Sequence, residues 1–278
     1  MKKNIIYIFL IIFSVFAFSD VSYRTYTLGP KGYITETRTA FVPEKVLKPS
    51  VLNAEDLFID NQNNLYIADT GNMRLLKIYQ DGSEESFGDF EVFMPTGIYV
   101  KNNKIYVADS GNFSVAVYDE NGFLIKTIEK PSEPLFGIKN LFIPLKIAVD
   151  NRENIYIVNE GSTNGLVNLN SEGNFMNYFA ANQPDVSLKM ILQRIIYSGN
   201  NNFLKIKPPS PTNLTIDKDG LIYTTTYGQE NDGIKKFDIA GNNILSGKIF
   251  SSSDIVDVAT DRDNNIYALT SEGYIFIS

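Results

Sequence analysis

An apolar-Tyr-apolar core recurs five times along the chain, and in four copies an Asp stands six residues ahead of the Tyr. Asp60 precedes Leu65-Tyr66-Ile67, Asp150 precedes Ile155-Tyr156-Ile157, Asp217 precedes Ile222-Tyr223, and Asp261 precedes Ile266-Tyr267. The remaining copy, Ile105-Tyr106-Val107, has Val100 in the Asp position. The Tyr-to-Tyr spacings are 40, 50, 67 and 44 residues, with an insertion in the long interval. Self-similarity at this period marks a repeat architecture, in which each unit hides its apolar face only by stacking on its neighbours.

Each unit reads as four short strands. The first covers Leu57–Ile59, Ile98–Val100, Ile147–Val149, Leu214–Ile216 and Val256–Ala259. A polar Asn/Asp turn leads into the Tyr strand, whose unbroken apolar run suits a strand covered on both faces. Next comes a turn such as Asp69-Thr70-Gly71-Asn72 or Asp109-Ser110-Gly111-Asn112, where Gly takes positive φ and Asn or Asp bonds back to the chain. A third strand follows, then a Gly turn, and a fourth strand such as Phe123–Ile128 or Ile244–Phe250. Four antiparallel strands in 40 to 50 residues predict the blade of an all-β propeller. A β-sandwich would not demand the same turn chemistry in every unit.

The segment Leu57-Phe58-Ile59-Asp60 followed by Asn64-Leu65-Tyr66-Ile67-Ala68-Asp69-Thr70-Gly71-Asn72-Met73-Arg74 resembles an NHL repeat. The resemblance spans about residues 52–278, sharp in the first two units and looser later, where Val158-Asn159-Glu160-Gly161 and Thr224-Thr225-Thr226-Tyr227-Gly228 replace the motif. It implies a six-bladed propeller, whereas five repeats are counted. Either the segment near Thr39–Leu47 completes the last blade, or the chain belongs to a longer, truncated family member.

His, Cys and Trp are absent. Disulfides and thiolate chemistry are thereby excluded, as are the usual zinc ligand and the general base of a serine or cysteine triad. Residues 1–19 read as an export signal: Lys2 and Lys3, the apolar run Ile5 to Phe18, and cleavage after Ser19. Removing those two lysines from the 25 basic residues leaves 23 against 32 acidic ones, a net charge of −9. Such a balance argues against nucleic acid and anionic membrane surfaces. The expected location is secreted or extracytoplasmic, with no direct membrane insertion after signal removal.

Residues 20–51 read as an N-terminal arm, with Tyr23–Leu28 and Tyr33–Val42 forming a hairpin around Gly29-Pro30-Lys31-Gly32. Within 52–278, residues 181–211 form an insertion. Asp185 suits a helix N-cap, and Leu188, Ile191, Leu192, Ile195 and Ile196 make one apolar stripe on a short helix. Packing over the propeller rim is the favoured role, a lid or docking helix the alternative.

Antiparallel topology puts the loops before strand one and between strands two and three on one face. Since the first strand is innermost, Asn53, Glu55, Asp56, Lys146, Asn213 and Asp257 are expected around the channel mouth as ligand-binding residues. Lys146 is placed to neutralise Glu55 and Asp56. Asp69 and Asp109 recur with the turn and are read as turn formers, as are Asp60, Asp150, Asp217 and Asp261 on the opposite face. Asp261-x-Asp263-x-Asn265 mimics a calcium loop, but Ile266 occupies the position that needs Gly, so a hairpin turn is expected.

Two functions compete. One is a non-enzymatic scaffold without cofactor, presenting its loop face and channel mouth to a protein, peptide or glycan on the outer side of the membrane. The resemblance to NHL-like propellers supports this reading. The other is a calcium-dependent lactonase or related hydrolase of the gluconolactonase-like propeller type. Glu55, Asp56, Asn213 and Asp257 would then offer oxygen ligands, although that family's own motifs do not surround them.

Overall fold

A computed structural model describes residues 25–28, 34–37, 46–181, 209–228, 233–245, 250 and 253–278. The chain divides into two units, Met1–Pro49 and Ser50–Ser278. In the first, β1 (Thr25–Leu28) and β2 (Ile34–Thr37) pair antiparallel, as the hairpin reading expects. The expected signal at 1–19 lies outside the described residues, as does the stripe at 188–196.

The second unit is an all-β propeller of five sheets, each one repeat. The first blade holds β3 (Asp56–Ile59), β4 (Leu65–Asp69), β5 (Arg74–Ile78) and β6 (Glu84–Phe87). The second holds β7 (Pro95–Lys101), β8 (Lys104–Asp109), β9 (Ser114–Asp119) and β10 (Leu124–Ile128). The third holds β11 (Pro144–Val149), β12 (Ile155–Asn159), β13 (Leu166–Leu169) and β14 (Phe175–Phe179). The fourth and fifth show three strands each among the described residues: β15 (Asn213–Ile216), β16 (Ile222–Thr225), β17 (Ile234–Phe237), and β18 (Ile255–Thr260), β19 (Ile266–Thr270), β20 (Ile275–Ile277). Where a fourth strand was expected at Ile244–Phe250, a single bridge joins Phe237 to Asn243 and residues 246–249 lie outside the described set. Among the described residues the helical content is one 3-10 turn, Thr70–Asn72.

First strands pack side by side in the series β3, β7, β11, β15, β18. The core lies between blades, which explains the unbroken apolar runs. In β8 and β9, Ile105, Val107, Ala116 and Tyr118 join Leu75 and Phe87 of the first blade. Tyr106, Ala108, Val115 and Val117 turn the other way, onto Ile147, Ile155 and Leu166 of the third. Successive side chains of a strand point to opposite faces, so a strand sandwiched between two blades needs apolar residues at every position.

The Asp–Tyr spacing has a direct physical cause. Asp60 Oδ1 accepts the backbone N–H of Gln62 and of Asn64, closing the turn, while Tyr66 Oη donates to Asp60 Oδ2 at 3.2 Å. Asp217 repeats this with Asp219, Leu221 and Tyr223, and Asp261 with Asp263, Asn265 and Tyr267. Asp261 is therefore a turn former, its oxygens already taken by the hairpin. In the second blade the five-residue turn shrinks to Asn102-Asn103, both at positive φ (50° and 59°), joining Lys101 to Lys104. Two successive left-handed residues make a tight hairpin that Asn tolerates and that needs no Asp, so Val100 stands there without loss. Tyr223→Phe should therefore cost about 1.5 kcal/mol, since it removes a buried hydrogen bond to a carboxylate. Tyr106→Phe, in the blade without the Asp, should cost less than about 0.5 kcal/mol. Urea unfolding of both variants checks the contrast, and equal costs would sink the account.

Candidate functional site

The turn between strands two and three pins the start of its own blade. Asp69 is fully buried; its Oδ1 accepts Leu52 N–H at 2.8 Å and its Oδ2 accepts Asn72 Nδ2 and Arg74 Nε. Burial alone would raise its pKa. The bonds from Asn72, Leu52 and Arg74 outweigh that and hold the carboxyl below the usual range. Asp109 takes Phe93 N–H, Met94 N–H and Asn112 in the same way. In the third blade Asn159 Oδ1 accepts Ile143 N–H at 2.6 Å, so an amide replaces the carboxylate without losing the tie. The Gly in the motif is required by contact: a Cβ on Gly71 would lie 2.5 Å from Leu52 O, and one on Gly111 2.7 Å from Met94 Cβ. These residues are structural, as their recurrence with the turn indicates. Thr70 adds a tie to the next blade, donating to Pro95 O at 2.6 Å.

The starts of the first strands meet around the axis. Asp56, at the head of β3, accepts the N–H of Ile98 on β7 through Oδ2 at 3.0 Å. Lys146 reaches over from β11: its Nζ stands 3.4 Å from Asp56 Oδ1 and donates to the main-chain oxygen of Glu55 at 2.6 Å. Both side chains are largely buried, with 18% of Asp56 and 16% of Lys146 exposed. On the far side Asn213 Nδ2 donates to Asp257 Oδ1 at 2.7 Å, joining β15 to β18, and Asp257 Oδ1 also accepts Val258 N–H.

Burial pushes the Asp56 carboxyl up to about 6, against the lowering effects of Lys146 and the Ile98 N–H, and the charge of Asp257 adds to the rise. Asp257 is raised too, chiefly by burial, with Val258 N–H and Lys146 opposing. Lys146 therefore bears on both carboxylates, and the first and last of the five blades come close enough to feel one another.

Of the six residues expected at the channel mouth, Asp56, Lys146, Asn213 and Asp257 thus stand in two bonded pairs linked by charge. Glu55 contributes its carbonyl, whereas the expectation assigned it a carboxylate paired with Lys146; its side chain is exposed. Asn53 is exposed at a positive φ of 48°, and among the described residues no hydrogen bond ties it to the others. Sequence reasoning missed Gly97. A Cβ there would lie 2.8 Å from Leu145 O and 2.9 Å from Lys146 Cα, so its absence lets β7 approach β11 and sets where Lys146 starts. A lone Gly within the apolar strand Thr96-Gly97-Ile98 was the available signal. Among the described residues, no three acidic side chains gather closely enough to hold a metal ion.

A family model described as NHL repeat matches residues 94–118, which span β7, β8 and most of β9. No curated protein matches the chain in sequence. Solved structures similar to it include a catalytically inactive histidine-to-alanine variant of virginiamycin B lyase from Staphylococcus aureus with quinupristin. That match has 12% identity, covers 91% of this chain and 76% of that one, and has a TM-score of 0.50. Kuenenia stuttgartiensis hydrazine synthase matches at 14% identity over 86% and 69%, with a TM-score of 0.54. A streptogramin B lyase matches at 12% identity over 92% and 87%, with a TM-score of 0.51. At such identity the likeness carries the fold alone. The family match lies on the second blade and the same turn chemistry runs through its neighbours: the chain is a β-propeller that carries an NHL repeat at residues 94–118.

Proposed function

We propose that this propeller is an exported, non-enzymatic scaffold that holds a protein, peptide or glycan at its channel mouth. One observation carries the reading. Asp56 is kept largely buried as an acid whose ionisation the site disfavours, between a backbone N–H and Lys146, with Asp257 facing it. An Asn would accept the same N–H without that penalty, and a perturbed carboxylate in a cleft is a functional-site candidate. The acidic balance and the absence of His support binding over catalysis. The lyase variant among the structural neighbours is inactivated at a histidine, and this chain has none to place there. Export rests on Lys2, Lys3 and the apolar run that follows, and among the described residues no helix is long and apolar enough to cross a membrane.

The test is a pull-down from envelope extract with residues 20–278 as bait, beside an Asp56→Asn/Lys146→Met double variant. A partner retained by the native protein and lost by the variant is the expected result. Recovery unchanged by the variant, or no recovery, would overturn the proposal. So would one calcium per chain surviving dialysis together with a lactone-hydrolysing activity lost in Glu55→Gln.

A further inference from the structure

The connector between the second and third blades, residues 129–143, is rigidly built and holds apolar side chains out to water. Phe136 is 1% exposed and packs against Phe142, Phe175 and Tyr178. Successive turns close around it: Phe136 N–H donates to Glu133 O, Gly137 N–H to Pro134 O, and Asn140 N–H to Gly137 O. Glu133 Oε1 accepts Phe175 N–H, Tyr178 Oη donates to Phe136 O, and Lys130 Nζ donates to Ile138 O at 2.8 Å. On this frame Leu135, Ile138 and Leu141 stand 80%, 85% and 68% exposed, one apolar side chain at every third residue.

The neighbouring connector, residues 88–94, does the same. Phe90 is wholly exposed at a φ of 66°, and Phe93 and Met94 are exposed beside it. Phe113, on the turn between β8 and β9, is exposed at a φ of 56°. Both Phe90 and Phe113 thus occupy the left-handed region that bulky side chains avoid. The set is continuous. A Cβ on Gly111, in the turn before Phe113, would touch both Phe93 and Met94. A groove of about 500 Å3 joins the connectors, lined by Glu91 of the one, by Glu129 and Lys130 of the other, and by Phe113.

Size and placement separate this surface from ordinary scattered exposure. At about 150–250 Å2 for an aromatic side chain and less for an aliphatic one, these residues leave on the order of 800 Å2 open to water. A typical monomer shows roughly 300–600 Å2 in its largest apolar patch, and a standard interface takes about 800 Å2 from each partner. Antiparallel order puts all of it on the face of the channel mouth. Among the described residues, the loops of the opposite face carry two exposed large apolar side chains, Phe123 and Ile239.

We propose that this surface is the interface of a two-fold dimer, in which the ridge of Leu135, Ile138 and Leu141 on each copy lies in the groove of the other. Ridge and groove sit on the same face of one copy, so a single two-fold axis satisfies both contacts at once. Their charges agree with that pairing. The ridge carries Lys139, which is exposed and, among the described residues, has no acid within ion-pair distance. The groove carries Glu91 and Glu129, with no cation at that distance among the same residues, since Lys130 is committed to Ile138 O and lies over the Phe136 ring. A lipid surface would leave those carboxylates unanswered, whereas a second copy brings Lys139 to them. The inference goes beyond the reading of the channel mouth and does not depend on it, since its test uses purified protein without an envelope partner.

Sedimentation velocity of residues 20–278 reads the mass directly. The native protein should dimerise with a Kd of about 1–10 µM, the weaker end for an interface of standard size. Ile138→Asp changes an exposed side chain, so it should keep the native thermal midpoint while weakening the dimer at least about tenfold. Lys139→Glu alone and Glu129→Lys alone should each weaken it about fivefold, because like charges then face each other. An equimolar mixture of those two variants should associate more tightly than either by itself, as the acid added to one ridge meets the base added to the other groove. A native protein that stays monomeric at about 100 µM, well above the expected Kd, would overturn the proposal. So would a dimer unchanged by Ile138→Asp, or a mixture no tighter than its components. A monomer that cosediments with phosphatidylcholine vesicles, and loses this in Ile138→Asp, would make a lipid surface the occupant and overturn it as well.

Discussion

Gly97→Val should destabilise the propeller by at least about 3 kcal/mol, the upper range for forcing atoms into a packed interior. The new Cβ would stand 2.8 Å from Leu145 O and 2.9 Å from Lys146 Cα. Both are backbone atoms of the third blade, so no rotamer change relieves the clash and the blades must part. Gly97 is not at positive φ, which makes contact the sole cause. Gly161→Ala supplies the contrast: it has open space around it but a φ of +67°, and it should cost only about 1–2 kcal/mol through backbone strain. Urea unfolding of the two variants separates the mechanisms. If Gly97→Val unfolds within about 1 kcal/mol of the native protein, β7 and β11 are not packed as described.

Asp56→Asn should make the protein more stable at pH 7 and remove its binding function. With the folded pKa at about 6 against an ordinary 3.8, the native state takes up a proton that the unfolded chain does not hold between those values. Stability from this group is therefore present below about pH 4, falls as pH rises toward 6, and is flat above. About two pKa units correspond to about 3 kcal/mol. The value of about 6 already contains the lowering by Lys146, and in the variant Lys146 keeps its bond to Glu55 O. A net increase of about 2–3 kcal/mol at pH 7, vanishing near pH 4, is expected. Chemical denaturation across pH 4 to 7 reads it directly. Parallel stability profiles for the two proteins would show that Asp56 carries no such burden. A stabilising change at a binding residue is the usual sign that stability has been given up for function.

Much of this architecture was legible along the chain. Tyr66, Tyr156, Tyr223 and Tyr267 announced their strands because each hydroxyl answers an Asp six residues earlier within one local turn. Asp69 and Asp109 were readable as turn residues from the Gly and Asn that follow them, and Asn72 and Asn112 do bond to them locally; their ties to Leu52, Phe93 and Met94, 15 to 17 residues earlier, were not. The face on which Asp56, Lys146, Asn213 and Asp257 lie was also accessible, since antiparallel order alone assigns strand starts to one side. The role of Glu55 was not. Whether a residue offers its side chain or its carbonyl depends on the exact rotation of β3 as it leaves the loop, and nothing in the local composition records it.

The repeat and its turns are short-range matters, governed by φ, by side chains bonding to backbone a few residues away, and by a strand's need for apolar residues on both faces. The order of residues therefore determined the blades, their handles and the working face. Pairings across 40 to 90 residues were decided only when the blades packed: Lys146 with Asp56, Asn213 with Asp257, and Gly97 against Leu145. Such contacts depend on how closely neighbouring sheets approach and on what their burial does to charge, and those quantities exist only in three dimensions.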